Sequence, residues 1–175
     1  MARNAARDPQ RANRQGLWRP GYISTANTVF LIIIALSIGT IAFMQMRSNQ
    51  AAEAVSSGLF AANSTFSDAV QQARETERPV FVLASAEWCG PCQTMKRTTL
   101  ADAEVQDRLL ARAVPYLLDV TSMGDLSQED GELAQSLGVT NIPAAYLIEP
   151  DGTVRTAFRG MRSKESFLEW LNASG

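Results

Sequence analysis

The feature that most restricts the fold of this chain is an uncharged stretch of 27 residues, from Pro20 to Met46. Within it, Val29–Met46 is apolar almost throughout, and eighteen residues at helical rise span about 27 Å, close to the roughly 30 Å hydrocarbon core of a bilayer. A helix buried in a water-soluble protein is the alternative, but such helices seldom lack a polar face over this length. In lipid the backbone has no water to hydrogen-bond, so a helix, whose backbone hydrogen bonds are internal, is the expected structure. We therefore predict a single transmembrane helix over residues 26–46.

The arginines around this stretch predict its orientation. Five precede it, and only Arg47 lies within the first 25 or so residues after it. The positive-inside rule then places the basic tail, residues 1–25, in the cytoplasm and the rest of the chain outside. Trp18 and Tyr22 are expected to anchor the helix at the membrane interface. The sequence thus predicts a single-pass protein of the inner (cytoplasmic) membrane, in contact with lipid, whose C-terminal domain is periplasmic or otherwise extracytoplasmic.

A cleaved signal peptide is the competing interpretation of the same stretch. The sequence AEA at 52–54 has the small-x-small form of a cleavage site. The apolar run is longer than that of a usual signal peptide, however, and ends well before this site, which favours an uncleaved signal anchor. Residues 47–63 are mostly small and polar and are expected to form a linker, with a short edge strand possible at Leu59 and Phe60.

Residues 64–175 have the pattern of an α/β domain. Helical and apolar strand segments alternate, and Val80–Ala86 is apolar up to Ser85, as in a strand covered on both faces. Two later strands are separated by Pro-Asp-Gly at 150–152, which predicts a hairpin. A strand–helix–strand crossover followed by a hairpin predicts a mixed sheet with helices on both faces. Residues 53–175 carry 10 basic and 17 acidic side chains, a balance that argues against nucleic acid as a partner.

Cys89 and Cys92 are the only cysteines, and the chain has no histidine. They follow the predicted buried strand directly, with Cys89 at the start of the next helix. Unpaired N–H groups and the helix dipole stabilise negative charge there, so the Cys89 thiol should ionise easily and attack disulfides. Cys92, one turn further in, is placed to resolve the mixed disulfide.

A metal site or a structural disulfide would account for the cysteine pair less well. A metal site needs about four ligands, so two thiolates would have to be shared across a homodimer. A purely structural disulfide closing so short a loop would add little stability. Gly90 and Pro91 allow a tight entry into the helix, and Trp88 is expected to shield the approach to the thiols. We expect no metal and no cofactor.

The motifs EWCGPC and NIPAAYLIEPDG resemble the thioredoxin family over about residues 64–173. The chain is most similar to the C-terminal thioredoxin-like domain of bacterial periplasmic transmembrane disulfide-interchange reductases. The resemblance implies that Cys89 attacks, that Cys92 resolves and that Pro143 is a cis-proline beside the active site. It also implies that the backbone of Ile142 pairs with an extended substrate segment. The expected substrate-binding residues are therefore Trp88, Gly90, Pro91, Ile142 and Pro143. Protein thiols or disulfides and an upstream membrane or periplasmic electron donor are the implied partners.

The chain departs from that family at two positions. Many members bury an acid where Leu83 stands, and the related reductases carry a second acid where Lys96 stands. Proton transfer from Cys92 is therefore expected to rely on water. Lys96 would favour a nearby thiolate if its side chain pointed back, but a solvated position is the more common one for a lysine.

Two functions remain open from the sequence. The first is a membrane-tethered thiol:disulfide oxidoreductase, favoured by the intact WCGPC motif, and Gly-Pro between the cysteines resembles the reducing members of the family. The second is a thioredoxin-fold interaction subunit of a membrane complex without essential redox activity.

Overall fold

The computed structural model describes residues 25–61, 63 and 65–174, except for the side chains of 25–27 and 47–57. Helix α1 runs from Thr25 to Leu59. Its segment Thr28–Met46 has a mean hydropathy of 2.3 and exposed side chains, and within the described part of the chain it alone is long and apolar enough to cross a membrane. The predicted interfacial anchors Trp18 and Tyr22 lie outside the described residues.

The backbone remains helical over most of the region for which the sequence predicted a linker, residues 47–63. The edge strand considered at Leu59 and Phe60 is wrong, because Leu59 is the last residue of α1. Both side chains are buried, and the Phe60 ring stacks on that of Phe81 with centroids 6.5 Å apart. Packing against the protein core thus removes this apolar pair from water without any strand pairing. The chain divides into two compact units, and the boundary falls after Ile41.

In the second unit, the described residues form five further helices, four strands and two short turns. They are α2 (Phe66–Thr76), β1 (Val80–Ser85), α3 (Gly90–Met95) continued by a π-helical turn (Lys96–Leu100), α4 (Ala103–Arg112), β2 (Val114–Asp119), a 3₁₀ turn (Met123–Asp125), α5 (Gln128–Ser136), β3 (Ala144–Ile148), β4 (Val154–Arg159) and α6 (Lys164–Ala173). The strands form one sheet in the order β2-β1-β3-β4. β1 pairs with β2 in parallel, whereas β3 pairs antiparallel with both β1 and β4. The predicted mixed sheet is confirmed.

Strand β1 lies in the middle of the sheet, and all six of its residues are buried. Alternate side chains point to opposite faces, so each face receives its own apolar cluster. On the first face Val82 and Ala84 meet α2 and α5, and this cluster includes both cysteines. On the second face Phe81 and Leu83 meet side chains of α3, α4 and α6.

Trp170 is partly buried and packs against the second-face cluster. Its ring lies 4.8 Å from that of Phe158, nearly at right angles, and its indole N–H donates to Thr156 Oγ1 at 3.2 Å. The nitrogen is thereby satisfied while the ring packs against the core, as is usual for a tryptophan.

Side-chain caps set where several helices begin. Thr65 caps α2, Asp102 caps α4 and Ser163 caps α6. Helix α5 begins after Ser127, whose side chain accepts a hydrogen bond from the Asp130 N–H.

The helix predicted after the cysteines widens into a π-helical turn at Lys96. The hydroxyls of Thr94 and Thr98 donate to carbonyls four residues earlier, a contact that bends helices.

Candidate active site

The two cysteines lie just beyond the end of the central strand, where α3 begins. Cys89 is the N-cap of α3, and its Sγ accepts a 3.2 Å hydrogen bond from the Cys92 N–H. The Cys89 N–H itself donates to the Ala86 oxygen at 3.2 Å, which closes the turn between strand and helix. A disulfide joins the two residues, whose Cα atoms are 5.2 Å apart. The predicted location of Cys89 at the helix start is confirmed.

Both cysteines are buried, but residues adjoining Cys89 are exposed. Cys89 is 5% exposed and Cys92 is 1% exposed, so Cys89 is the more accessible of the two. Trp88 is 68% exposed, and Gly90 and Pro91 are also exposed. The three residues that the sequence associated with substrate binding on this loop thus lie together at the surface beside Cys89.

Thr121 fixes the loop that leads to the cysteines, and sequence reasoning missed it. Its main-chain oxygen accepts from the Trp88 indole N–H at 3.0 Å, and its hydroxyl oxygen accepts from the Glu87 N–H at 2.8 Å. Asp119 Oδ1 in turn accepts from the Thr121 N–H at 2.9 Å and from its hydroxyl at 2.5 Å. The available signal was that parallel strands bring their carboxyl ends to the same edge, so the residues following β2 meet those following β1.

Ile142 and Pro143 approach the cysteines from the third strand. The Ile142–Pro143 peptide bond is cis, as the resemblance implied. Pro143 directly precedes β3, whose first residue, Ala144, pairs with Ala84 near the end of β1. Half-buried Ile142 packs against the cluster that contains both cysteines. All five predicted substrate-binding residues therefore lie at the same end of the sheet.

Gly160 supports this proline from the next strand. Its N–H donates to the Pro143 oxygen at 2.7 Å, and its φ of 86° is in the region that favours glycine. Gly160 directly follows the last residue of β4 and contacts the residue that precedes β3.

Lys96 is buried, and the expectation of a solvated side chain is wrong. It is 7% exposed, and burial lowers the pKa of its ammonium group, an effect that the negative charges of Asp119 and Glu87 oppose. Lys96 lies one helical turn after the buried Cys92 and therefore on the same side of the helix. Leu83, at the position of the family's acid, is 2% exposed.

Comparison with known proteins links this site to redox proteins. A family described as "Thioredoxin-like domain" matches residues 66–175. The thioredoxin of Rickettsia felis is 28% identical over 112 residues, which cover 64% of this chain and 96% of that protein. The thiol:disulfide interchange protein DsbD of Ralstonia nicotianae is 34% identical over 107 residues, covering 59% of this chain but only 17% of that much longer protein.

A solved structure has the same fold. The oxidised C-terminal domain of DsbD from Neisseria meningitidis gives a TM-score of 0.54 at 23% identity, over 62% of this chain and 91% of that domain. At this identity the likeness concerns the fold, and it extends over nearly the whole of the compared domain.

Proposed function

Because the chain belongs to the thioredoxin-like family and is a thiol:disulfide oxidoreductase, we propose that it is a membrane-tethered enzyme that reduces protein disulfides outside the cytoplasm. The single observation that carries this proposal is the Cys89–Cys92 disulfide at the start of α3, beside the cis-Pro143. The apolar segment Thr28–Met46 supports the tether.

In the proposed reaction the reduced enzyme begins with Cys89 as a thiolate. Cys89 Sγ attacks a substrate disulfide, and a mixed disulfide forms while the first substrate sulfur leaves as a thiolate and takes up a proton. Cys92 then loses its proton and attacks Cys89 Sγ, which forms the Cys89–Cys92 disulfide and releases the second substrate sulfur. Two electrons pass to the substrate, and an upstream donor must restore the dithiol.

The position of Cys89 supports its role as the attacking thiol. The N–H groups of the first turn of α3 point towards it, and one of them, that of Cys92, donates to its sulfur. A negative charge is stabilised at such a position, so its thiol should have a lowered pKa. The smaller exposure of Cys92 suits a thiol that reacts only with its neighbour.

The substrate is proposed to bind across the exposed end of the sheet. Trp88, Gly90 and Pro91 would contact its side chains, while Ile142 and Pro143 would align an extended backbone segment beside β3. This arrangement accepts any chain that presents an accessible disulfide in an extended segment. Protein disulfides are therefore the proposed substrate class.

The proposed location of the catalytic domain and the proposed direction of electron transfer are supported by the sequence and by the relatives. The excess of arginine before the apolar segment supports a cytoplasmic N-terminus. The Gly-Pro pair between the cysteines and the likeness to thioredoxins support the reducing direction. The proposed electron donor is a membrane or periplasmic dithiol protein, since the thiols must be restored on the same side of the membrane.

The full chain in detergent tests this function by its reduction of insulin with dithiothreitol as the electron source. The wild-type protein should reduce insulin faster than a variant in which both cysteines are serine. When expressed in cells, the Cys92→Ala variant should accumulate mixed disulfides with membrane and periplasmic proteins. Equal insulin reduction by wild type and the double serine variant would overturn the proposal. It would favour instead a redox-inactive interaction subunit.

A further inference from the structure

The end of the second sheet face beneath α3 is unexpectedly polar. Ser85 and Asp119 are paired neighbours on β1 and β2, so they follow Leu83 and Leu117 on the same face of the sheet. Ser85 Oγ is buried and has no hydrogen-bond partner among the described residues. The apolar face thus gives way to polar groups at the end nearest to the cysteines.

Lys96 adds a cation to this region. The backbone N–H of Lys96 donates to the carbonyl oxygen of Cys92. The two residues are therefore one helical turn apart and on the same side of α3. Met95, the neighbour of Lys96, packs on the second face with Leu83. The ammonium group is close enough to Asp119 on β2 and to Glu87 before α3 for both charges to act on it.

Two other cations of this unit are engaged elsewhere. Lys164 at the start of α6 forms ion pairs with Asp102 and Glu104. Arg162 lies over the Phe158 ring, 5.1 Å from its centroid. Lys96, by contrast, lies one turn after Cys92 and therefore near the cysteine pair.

We infer that Lys96 is a positioning residue of this enzyme, which acts through Cys92 by stabilising its thiolate from one helical turn away. This inference rests on the proposed function, in which Cys92 must ionise before it attacks the mixed disulfide. A cation within about 4–6 Å favours the charged form of an acid, typically by one or more pKa units. The proton of Cys92 passes to solvent, and the lysine keeps its own.

Lys96 would therefore serve the same step as the acid of the family by a different physical route. An acid accepts the proton of the resolving thiol, whereas a nearby cation lowers the pKa of that thiol. Burial lowers the pKa of Lys96, and the negative charges of Asp119 and Glu87 oppose this effect because they favour the ammonium form. A neutral side chain of similar length would fill the space but not stabilise the thiolate.

The test measures the acidity of Cys92 directly. In the full chain with Cys89→Ala, Cys92 is the only thiol, and its ultraviolet thiolate absorbance is followed against pH. The same chain without either cysteine supplies the baseline. Lys96→Met should raise the midpoint by about one pH unit, whereas Lys96→Arg should leave it close to that of the parent.

Arg97→Met is the matched control, since it removes a cation from the adjacent residue, whose guanidinium donates to Thr94 Oγ1. It should not move the midpoint. Lys96→Gln is the second neutral variant should Lys96→Met fail to fold, with folding followed by denaturant melts. An unchanged midpoint in a folded neutral variant, or an equal rise with Arg97→Met, would overturn the inference. No substrate is present, so failure here counts against Lys96 alone, whereas absent insulin reduction counts against the proposed function.

Discussion

The indole N–H of Trp88 donates a 3.0 Å hydrogen bond to the main-chain oxygen of Thr121. The exposed side chain beside the cysteines is thereby tied to the loop after β2, and the same threonine also receives the Glu87 N–H. A substrate that contacts Trp88 therefore meets a side chain whose orientation depends on a neighbouring loop.

Thr121→Val should loosen this loop while keeping the side-chain shape. The Glu87 N–H and Asp119 would each lose a partner, so we expect the free energy of unfolding to fall by about 1 kcal/mol. Reduction of insulin should slow more than reduction of a small disulfide such as glutathione disulfide, because only the protein substrate extends across Trp88. Thr121→Ser, which keeps the hydroxyl, is the control. Equal slowing with both substrates would argue against a role in substrate contact.

The roles of the thiols predict which one is alkylated. In the reduced protein at neutral pH, brief iodoacetamide treatment should label Cys89 almost alone, because it lies at the start of α3 and is the less buried thiol. Mass spectrometry of the digested protein gives the ratio of the two labelled sites. Labelling of Cys92 to the same extent, or preferentially, would contradict the assignment.

Leu83→Asp should speed release of the mixed disulfide near neutral pH. Burial at this position raises the pKa of a carboxyl group, which can then accept the Cys92 proton, and we expect an increase on the order of tenfold. Stability should fall by about 2 kcal/mol or more, since a polar group replaces a leucine that is 2% exposed. Insulin reduction against pH and denaturant melts measure both effects.

Leu83→Asn is the control for that substitution, because it places a polar group in the same position but cannot accept a proton. It should lose similar stability without the gain in rate. A folded Leu83→Asp protein whose rate and pH profile match those of wild type would rule out proton transfer as the limiting event.

Stability should depend on pH through Lys96. Burial lowers the pKa of the folded lysine below its ordinary value of 10.5, so between the two pKa values the unfolded chain binds more protons than the folded one. Unfolding free energy then rises with pH across this window. The free energy of unfolding of Lys96→Met, measured relative to wild type, should therefore be higher at neutral pH than near pH 10.5. Arg97→Met is the control. A stability difference independent of pH would contradict this.

The arginines before the apolar segment predict on which side of the membrane the C-terminal domain lies. A reporter that is active only in the cytoplasm, fused after Gly175, should remain silent, because five arginines precede the uncharged stretch. The same reporter fused before Met1 should be active. Activity of the C-terminal fusion would show that the orientation is wrong.

Sequence reasoning succeeded where the signal is local. The run Val80–Ala86 predicted a buried strand because its side chains are apolar or small, and the observed strand ends one residue earlier, at Ser85. Cys89 could be placed at a helix start from its position after that strand. Pro143 needed the family resemblance, since an isolated X–Pro bond is usually trans. The hairpin after β3 followed from its turn residues.

The missed features depend on contacts between distant segments or on irregular backbone. Thr121 contacts Trp88 only because β1 and β2 are parallel neighbours, which no local pattern around either residue encodes. Lys96 is buried at the point where the helix widens, and a lysine in sequence gives no sign of burial.

The stacking of Phe60 on Phe81 shows that the segment that folds together begins earlier in the chain than the segment that is homologous to the family. Homology with the family begins at residue 66, yet the second-face cluster reaches back to Leu59. A recombinant fragment cut at the homology boundary would leave out two buried side chains and uncover the ring of Phe81. Such exposed apolar surface promotes aggregation. A soluble fragment for crystallisation or titration should therefore begin on the N-terminal side of Leu59.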